Sequence, residues 1–341
     1  MRQTIHSALL VAAVLISADK ELFGQTPHAS APSEPALSSE PALSKVVGTG
    51  PTSSPQPDPQ LELARSFLDK GKIDLADHTV RQYLVQHPRA ADAHFLLGYI
   101  LFKASKPNES LLEYTEAAKF RDPLAFDLKV VALDYALLGD YVDADLWLTR
   151  SVQWDRTDAQ GWYYLGRTKY NESRPEEAIR AFLRCLELDP KNVKAQYNLG
   201  LSYEGLGRLE EAFAAYRQAI AFQAQALNQD PGPMIELGRL LLEHDQPEEA
   251  VSYLVQAVAV GPQESRAHEE LGRAYARLNR LVEAASELEK AVALSPESAS
   301  LHFMLGQVYR KRGMTGSAKF ELERSAALNG PKTTSAPSPL Q

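Results

Sequence analysis

Cysteine is nearly absent from the chain, since Cys185 is the only one among 341 residues. A single cysteine excludes an intramolecular disulfide and a metal site built from several cysteines. Cys185 stands at a position where comparable segments of this chain carry alanine. We therefore expect a buried structural thiol; the alternative is a thiol that reacts or pairs with another molecule.

An excess of positive charge is also missing, because 36 lysines and arginines face 44 aspartates and glutamates, which gives a net charge of −8. Phosphate binding needs a basic surface, so nucleic acid is not expected as the main partner. The chain lacks a glycine-rich nucleotide loop, a Gly-x-Ser-x-Gly nucleophile turn and a His-Glu-x-x-His zinc motif. Because no acid, base and nucleophile converge, we expect no enzyme and no cofactor, and a catalytic protein is the rival interpretation.

Long apolar runs are missing except at the N-terminus. Arg2 and the apolar residues 8–16 are followed by Ser17 and Ala18, which are small enough for cleavage. This pattern predicts an export signal over residues 1–18 with cleavage between 18 and 25; an uncleaved anchor and an ordinary frayed terminus are the alternatives. No later segment is long enough to span a membrane, so the mature protein is expected to be periplasmic or secreted. Proline- and serine-rich residues 19–56 predict a disordered tether, and residues 333–341 predict a disordered tail.

Between residues 57 and 332 the chain contains a motif of about 34 residues in eight copies. The pair Leu-Gly marks six of them, and alanine or serine follows each glycine after twelve residues. A period of this length is typical of stacked supersecondary units that bury a continuous core. The six pairs are Leu97-Gly98, Leu165-Gly166, Leu199-Gly200, Leu237-Gly238, Leu271-Gly272 and Leu305-Gly306.

Apolar spacing within each copy predicts two amphipathic helices joined by a tight turn. The repeated glycine is small, so the second helix can approach the first closely. The turn is expected at residues such as Gly139 and Ser173, and the second helix begins with proline in three copies, at Pro107, Pro175 and Pro247. Asp-Pro pairs beginning at Asp58, Asp122 and Asp230 predict N-caps for three of the first helices.

These residues resemble the tetratricopeptide repeat family, whose pattern contains an aromatic residue, Leu-Gly, a turn glycine, two alanines and a closing proline. The resemblance implies an all-α fold, a right-handed α-solenoid of about eight helix-turn-helix repeats. It assigns the repeats to residues 57–90, 91–124, 125–158, 159–192, 193–226, 231–264, 265–298 and 299–332.

Two copies depart from the family pattern, and one junction carries extra residues. The first copy lacks Leu-Gly, and the third has Val131-Ala132 in its place. An insertion between the fifth and sixth copies, residues 227–230, is an extra helical turn or a loop. We expect it to lengthen the preceding helix to about Asn228.

The resemblance also implies where a partner binds. In this family positions two, five, nine, twelve and thirteen of each repeat, counted from its first residue, point from the first helix into a concave groove. Here they carry eleven cations against six carboxylates, interleaved with aromatic rings. Either these cations are merely solvated, or they line a groove for an extended acidic peptide. The candidate groove residues are Tyr99, Lys129, Tyr163, Arg167, Tyr170, Tyr197, Arg239, Arg266, Arg273, Arg277 and Arg310.

The function expected from these features is a non-enzymatic scaffold or adaptor that is exported to a bacterial envelope or beyond and binds a protein or peptide. The alternative is an accessory subunit of an envelope enzyme or of a secretion or assembly complex. Replacing Arg167, Arg239 and Arg273, which all occupy position nine, with glutamate is expected to abolish binding of an acidic partner. From the sequence, these substitutions are expected to leave the packing between helices almost unchanged.

Overall fold

A computed structural model of the chain describes residues 58–329. The predicted signal peptide, the tether and the C-terminal tail lie outside the described residues. Within the described range the chain divides after Pro190 into two compact units. Residues 58–190 are called unit 1, and residues 191–329 are called unit 2.

The described chain contains sixteen α-helices and no strand between residues 58 and 329. This confirms the all-α repeat fold. The helices of unit 1 are α1 (Pro59–Asp69), α2 (Ile73–Gln86), α3 (Ala91–Lys103), α4 (Pro107–Ala117), α5 (Ala125–Leu137), α6 (Tyr141–Trp154), α7 (Ala159–Asn171) and α8 (Pro175–Leu188). The helices of unit 2 are α9 (Val193–Gly205), α10 (Leu209–Gln223), α11 (Gly232–Glu243), α12 (Pro247–Val260), α13 (Ser265–Arg277), α14 (Leu281–Leu294), α15 (Ala299–Lys311) and α16 (Thr315–Asn329).

Close packing of the two helices in the six repeats that contain Leu-Gly depends on its glycine. A Cβ atom added at Gly200 would lie 2.5 Å from the ring of Tyr216, and one added at Gly166 would lie 2.6 Å from the ring of Phe182. Real Cβ atoms do not approach other atoms so closely, so the position requires glycine in these repeats. The prediction that this glycine admits the second helix is therefore confirmed.

Left-handed backbone marks the turn between the two helices of every pair. Four of the eight turns use glycine there, and four use residues with a side chain. Ser173, for example, has a φ of 59°, and Gly139 has a φ of 78°. Only glycine adopts this region without a steric cost, so the non-glycine turns are strained.

Helix starts agree with the sequence at one of the three Asp-Pro pairs, where the carboxylate of the N-cap Asp58 accepts a hydrogen bond of 2.9 Å from the amide of Gln60. At the third pair the N-cap of α11 is Pro231, and Asp230 before it accepts a hydrogen bond of 2.8 Å from the amide of Gly232. The prediction is wrong for Asp122. Helix α5 begins only at Ala125, and the side chain of Asp127 instead accepts from the amide of Leu124, at 2.8 Å.

The inserted residues 227–230 do not lengthen helix α10, which ends at Gln223. That expectation is wrong, because the side-chain amide of Gln223 closes the loop. Its Nε2 donates to the carbonyl oxygen of Asp230 at 2.7 Å, and its Oε1 accepts from the amide of Asp230 at 2.9 Å. Leu227 is fully exposed in the resulting loop.

Cys185 is completely buried on α8. Burial raises the pKa of its thiol to about 12, so the reactive thiolate is not formed near neutral pH. The expectation of a buried structural thiol is confirmed.

Candidate protein-interaction surface

The candidate residues lie on the first helices of the repeats, divided between the two units. Unit 1 carries Tyr99 on α3, Lys129 on α5, and Tyr163, Arg167 and Tyr170 on α7. Unit 2 carries Tyr197 on α9, Arg239 on α11, Arg266, Arg273 and Arg277 on α13, and Arg310 on α15. The two sets differ in chemistry, and each is described separately.

Three aromatic side chains of α3 and α5 form a cluster in unit 1, called here the aromatic patch: the exposed Phe126 and the half-buried Tyr99 and Phe102. The rings of Tyr99 and Phe126 meet edge to face with centroids 5.1 Å apart, and those of Tyr99 and Phe102 stack at 6.3 Å. Phe126 is 46% exposed although it is a large apolar residue. The patch therefore offers apolar ring surface to a partner.

One free cation stands beside the aromatic patch. The ammonium group of Lys103 lies 5.5 Å from the ring centroid of Tyr99. Among residues 58–329 no carboxylate lies within ion-pair distance of it. Lys103 can therefore receive a partner's carboxylate without first giving up one of its own.

Lys129 serves the patch in a different way, because its charge is already paired. The side chain is buried, and its Nζ lies 2.6 Å from Oδ2 of Asp158, the residue before α7. The same ammonium group lies 5.5 Å from the ring centroid of Phe126. Lys129 thus connects α5 to the start of α7 beneath the ring of Phe126.

On α7 the predicted aromatic residue Tyr163 belongs mainly to the core. It is 5% exposed, and its ring lies 6.2 Å from that of Phe182. Arg167 donates from Nη1 to the hydroxyl of Tyr163 at 3.2 Å and lies 5.8 Å from the same ring centroid. Tyr170 is half-buried one turn further on.

In unit 2, Arg239 is held by three carboxylates. Its Nε lies 2.9 Å from Glu236, its Nη1 lies 2.7 Å from Glu243, and its Nη2 contacts Glu204 on α9. Arg266 adds a fourth contact, with Nη1 2.6 Å from Glu236. Burial alone would lower the pKa of Arg239, but the hydrogen bond and charge of Glu236 and the charge of Glu204 raise it above the ordinary value.

These contacts correct the expectation that charge reversal at position nine would leave the packing unchanged. Arg239 is only 17% exposed on its side chain, and it joins α11 to α9 through Glu204. A glutamate in its place would face three carboxylates. The triple charge reversal therefore tests folding as well as binding and is not a clean probe of the surface.

The other three candidate arginines of unit 2 contact partners that differ in burial and charge. Arg273 reaches both carboxylate oxygens of the buried Glu270 at 2.8 Å. Arg277 lies 3.5 Å from the exposed Asp245, and Arg310 donates to the side chain of Gln307. The ring of Tyr197 packs at 6.0 Å from that of Tyr216, which belongs to the core of unit 2.

Two carboxylates that neutralise the arginines, Glu236 and Glu270, were not among the six carboxylates counted from the sequence. Glu236 and Glu270 stand at position six of their repeats, three residues before Arg239 and Arg273. Residues three apart on a helix are neighbours, so this spacing could have revealed both pairs. Lys129 pairs with Asp158, the residue before α7, and Arg239 pairs with Glu204 on α9. These pairs join different repeats, so no local sequence pattern identifies them.

Three histidines at position four hold their repeats together. In each case Nδ1 lies 2.6 Å from a glutamate of the second helix, and Nε2 lies 3.0–3.2 Å from a proline carbonyl oxygen of the preceding loop. The triplets are His94 with Glu113 and Pro88, His268 with Glu287 and Pro262, and His302 with Glu321 and Pro296.

Residues 58–329 contain no group of three or more histidine, cysteine, aspartate or glutamate side chains that could hold a metal ion. In the same range, no helix combines the length and the apolar character that crossing a bilayer requires.

Known proteins resemble the chain over its repeats. The family model of the tetratricopeptide repeat matches residues 61–125, 163–230 and 235–299, more than half of the chain. The human PEX5-related protein is 37% identical over 82 residues, which are 24% of this chain and 13% of that protein. The cytochrome c-type biogenesis protein CycH of Pseudomonas aeruginosa is 34% identical over 125 residues, 35% of this chain and 29% of the relative. The peroxisomal targeting signal receptor of Yarrowia lipolytica is 29% identical over 133 residues, 37% of this chain and 22% of the relative.

Solved structures agree on the fold. A tetratricopeptide repeat protein from Parabacteroides merdae is 17% identical with a TM-score of 0.55, covering 73% of this chain and 97% of that one. Cut9 in complex with Hcn1 is 18% identical with a TM-score of 0.53, covering 80% of this chain and 53% of that one. The chain spans less than a third of the length of the three curated relatives above, so the likeness concerns their repeats.

Proposed function

Because the chain belongs to the tetratricopeptide repeat family, whose members mediate protein–protein interactions, we propose that it is a non-enzymatic scaffold that binds a segment of a partner protein on unit 1. The observation that carries the proposal is the exposed ring of Phe126, which packs with Tyr99 and Phe102 in the aromatic patch, beside Lys103, which has no ion pair among the described residues. Apolar rings of this size are the usual anchors of protein interfaces.

The chemistry of the two units favours unit 1 as the binding surface. In unit 2 the side chains of Arg239, Arg266 and Arg273 already contact carboxylates of their own unit. An acidic partner would have to displace those carboxylates, and a buried carboxylate left without its cation is costly. The aromatic patch has no such competitor, because the ring of Phe126 is exposed and Lys103 has no ion pair among the described residues.

The partner that fits this surface has an apolar side chain next to a carboxylate. The apolar group would cover the ring of Phe126, and the carboxylate would meet Lys103. The lysine binds a carboxylate more strongly where the neighbouring rings exclude water from the contact. The overall charge of −8 makes long-range attraction of an acidic partner weak, so specificity comes from this local contact.

The names of the relatives support recognition of a protein segment. One is a receptor for a targeting signal, and the PEX5-related protein matches over 82 residues of the repeats. CycH is a biogenesis protein, and its likeness favours the alternative, an accessory component of an assembly apparatus. Export to the envelope or beyond is part of the proposal, supported by the Arg2 and apolar N-terminal pattern.

The proposal is tested with two variants of the aromatic patch and one matched control. Phe126→Ala removes the most exposed ring, and Lys103→Glu reverses the free charge. Phe303→Ala is the control, because Phe303 is 50% exposed and also lies on the first helix of its repeat, in unit 2. The partner is captured from envelope extract with the unchanged protein, and its Kd for each variant is then measured by calorimetry.

We expect Phe126→Ala to weaken binding by about 30-fold or more, since an interface anchor contributes about 2 kcal/mol. Lys103→Glu should weaken it by about 10-fold through lost attraction and added repulsion. Phe303→Ala should leave the Kd within about twofold. Unchanged binding by Phe126→Ala, or equal loss with Phe303→Ala, would contradict the proposal.

A further inference from the structure

Two residues of unit 1 depart from the repeat pattern and contact each other. Position 20 is alanine in seven copies and Ser110 in the second; position ten is uncharged in seven copies and Asp134 in the third. The hydroxyl oxygen of Ser110 on α4 lies 2.6 Å from Oδ2 of Asp134 on α5. Ser110 and Asp134 therefore contact each other where the second repeat packs against the third.

Asp134 is fully buried, and no cation pairs with it. Its side chain has no exposed surface, and its Oδ1 has no hydrogen-bond partner. The hydroxyl of Tyr114, on α4, is also buried without a partner. A carboxylate in such surroundings loses its hydration without gaining a cation.

Most ionisable groups that act on this region are acidic; the basic one is Arg121, which lies 3.6 Å from Asp127. Burial raises the pKa values of Tyr114 on α4 and Tyr135 on α5, and a negative charge on Asp134 raises them further. Asp127 of α5 and Tyr99 of α3 act on Tyr114, and Asp140 and Asp143, at the start of α6, act on Tyr135. No arginine, lysine or histidine contributes to the environment of Asp134.

A neutral Asp134 allows both short contacts of Ser110 to be hydrogen bonds, whereas an ionised Asp134 takes the only hydrogen of the serine hydroxyl. The Ser110 hydroxyl oxygen also lies 2.9 Å from the carbonyl oxygen of Gly98 on α3. A serine hydroxyl has one hydrogen, and it cannot donate to two acceptors at once. If Asp134 is protonated, its O–H donates to Ser110, and Ser110 donates to Gly98, so that α5, α4 and α3 are joined by one chain of hydrogen bonds.

We propose that the Ser110–Asp134 pair makes the packing of the second repeat against the third depend on pH. With a neutral Asp134 the three helices are joined; an ionised Asp134 leaves a buried, unpaired charge that loosens the contact. The pair acts through the core of unit 1, whatever partner that unit binds.

The direction of the pH effect follows from linkage. Burial, opposed by the hydrogen bond from Ser110, raises the pKa of Asp134 to about 8. An aspartate in the unfolded chain has a pKa of about 3.9. Between these values the folded protein holds one more proton than the unfolded chain, so stability falls as the pH rises and levels off above about 8.

Tryptophan fluorescence reports the unfolding of unit 1 in the full chain. All three tryptophans of the chain, Trp147, Trp154 and Trp162, belong to this unit. Urea unfolding of the full chain is followed by this signal at pH 6 and pH 9. The proteins compared are the parent, Asp134→Asn, and Asp69→Asn, whose side chain is exposed.

We expect the ratio of unfolding constants between the parent and Asp134→Asn to grow about 100-fold from pH 6 to pH 9, because the parent releases a proton that the amide does not have. The ratio between the parent and Asp69→Asn should stay constant. Asp134→Thr, which introduces the residue that the fourth repeat has at this position, gives the same comparison if the amide variant fails to fold. An identical pH dependence in the parent and the Asp134 variants would overturn the proposal.

Discussion

At the scale of single residues, two kinds of buried charged group occur. Arg239 of unit 2 and Lys129 of unit 1 are paired with carboxylates, whereas Asp134 of unit 1 is a carboxyl with no cation beside it. A paired buried charge is stable as long as both partners are present, and an isolated one is stable only when it is neutral. The two arrangements therefore respond to different changes, one to mutation of a partner and the other to pH.

The carboxylate set of unit 2 can be tested by removing its central cation. Arg239→Ala would leave Glu236, which is 4% exposed, with Arg266 alone, and would leave Glu204 with only the hydroxyl of Tyr216. We expect a loss of about 3 kcal/mol in the free energy of unfolding, because breaking a buried pair leaves an uncompensated charge. The measurement is urea unfolding followed by far-ultraviolet circular dichroism.

Arg277→Ala is the matched control for that experiment. Arg277 is 51% exposed and lies 3.5 Å from an aspartate that is itself 91% exposed. Exposed pairs contribute little, so its loss should cost less than about 1 kcal/mol. Equal losses in the free energy of unfolding would show that the ion pairs of Arg239 stabilise unit 2 no more than an exposed pair does.

At the scale of helices and turns, the sequence predicted which segments are helical and how they pack. The Leu-Gly glycines, the prolines that begin second helices and the turn positions are local signals, and the structure agrees with them. The end of α10 was not predictable from the insertion alone, because it depends on the contact of Gln223 with Asp230 seven residues later. The start of α5 likewise depends on Asp127 rather than on the expected cap at Asp122.

The candidate site divides in the same way between local and distant contacts. Tyr99 and Lys103 are neighbours on α3, so their proximity follows from helical spacing. The ring of Phe126 joins them from another repeat. The pairing of Lys129 with Asp158 spans 29 residues, and that of Ser110 with Asp134 spans 24. Such contacts are fixed by tertiary packing, which the repeat pattern alone did not predict.

The strained turns give a prediction at this scale. Ser173 adopts a φ of 59°, and glycine at this position would remove the steric cost of its side chain. We expect Ser173→Gly to stabilise unit 1 by about 1 kcal/mol, partly offset by the greater freedom of glycine in the unfolded chain. The urea midpoint of tryptophan fluorescence measures the change.

Gly139→Ala provides the converse experiment in the same unit. A Cβ atom at Gly139 would meet nothing within 4 Å, so only its φ of 78° disfavours alanine. We expect a loss of about 1 kcal/mol. If Ser173→Gly lowers the midpoint while Gly139→Ala leaves it unchanged, the turns are not strained as described.

At the scale of the whole molecule, binding is the proposed role of a chain built from repeated helix pairs. Each pair buries its apolar face against its neighbours, and the helices leave side chains on their outer faces free to vary. The two units use that freedom differently: aromatic rings with an unpaired lysine in unit 1, and arginines paired with carboxylates in unit 2. The central claim is that the aromatic patch of unit 1 is the surface that a partner covers.

Site-specific photo-crosslinking tests that claim most directly. A benzoylphenylalanine replaces Phe126 in one protein and Phe303 in another, and each is irradiated in envelope extract of the native host. The account predicts a discrete cross-linked product at position 126 that disappears when Lys103→Glu is added, and no product at position 303. A product at position 303 without one at position 126 would contradict it.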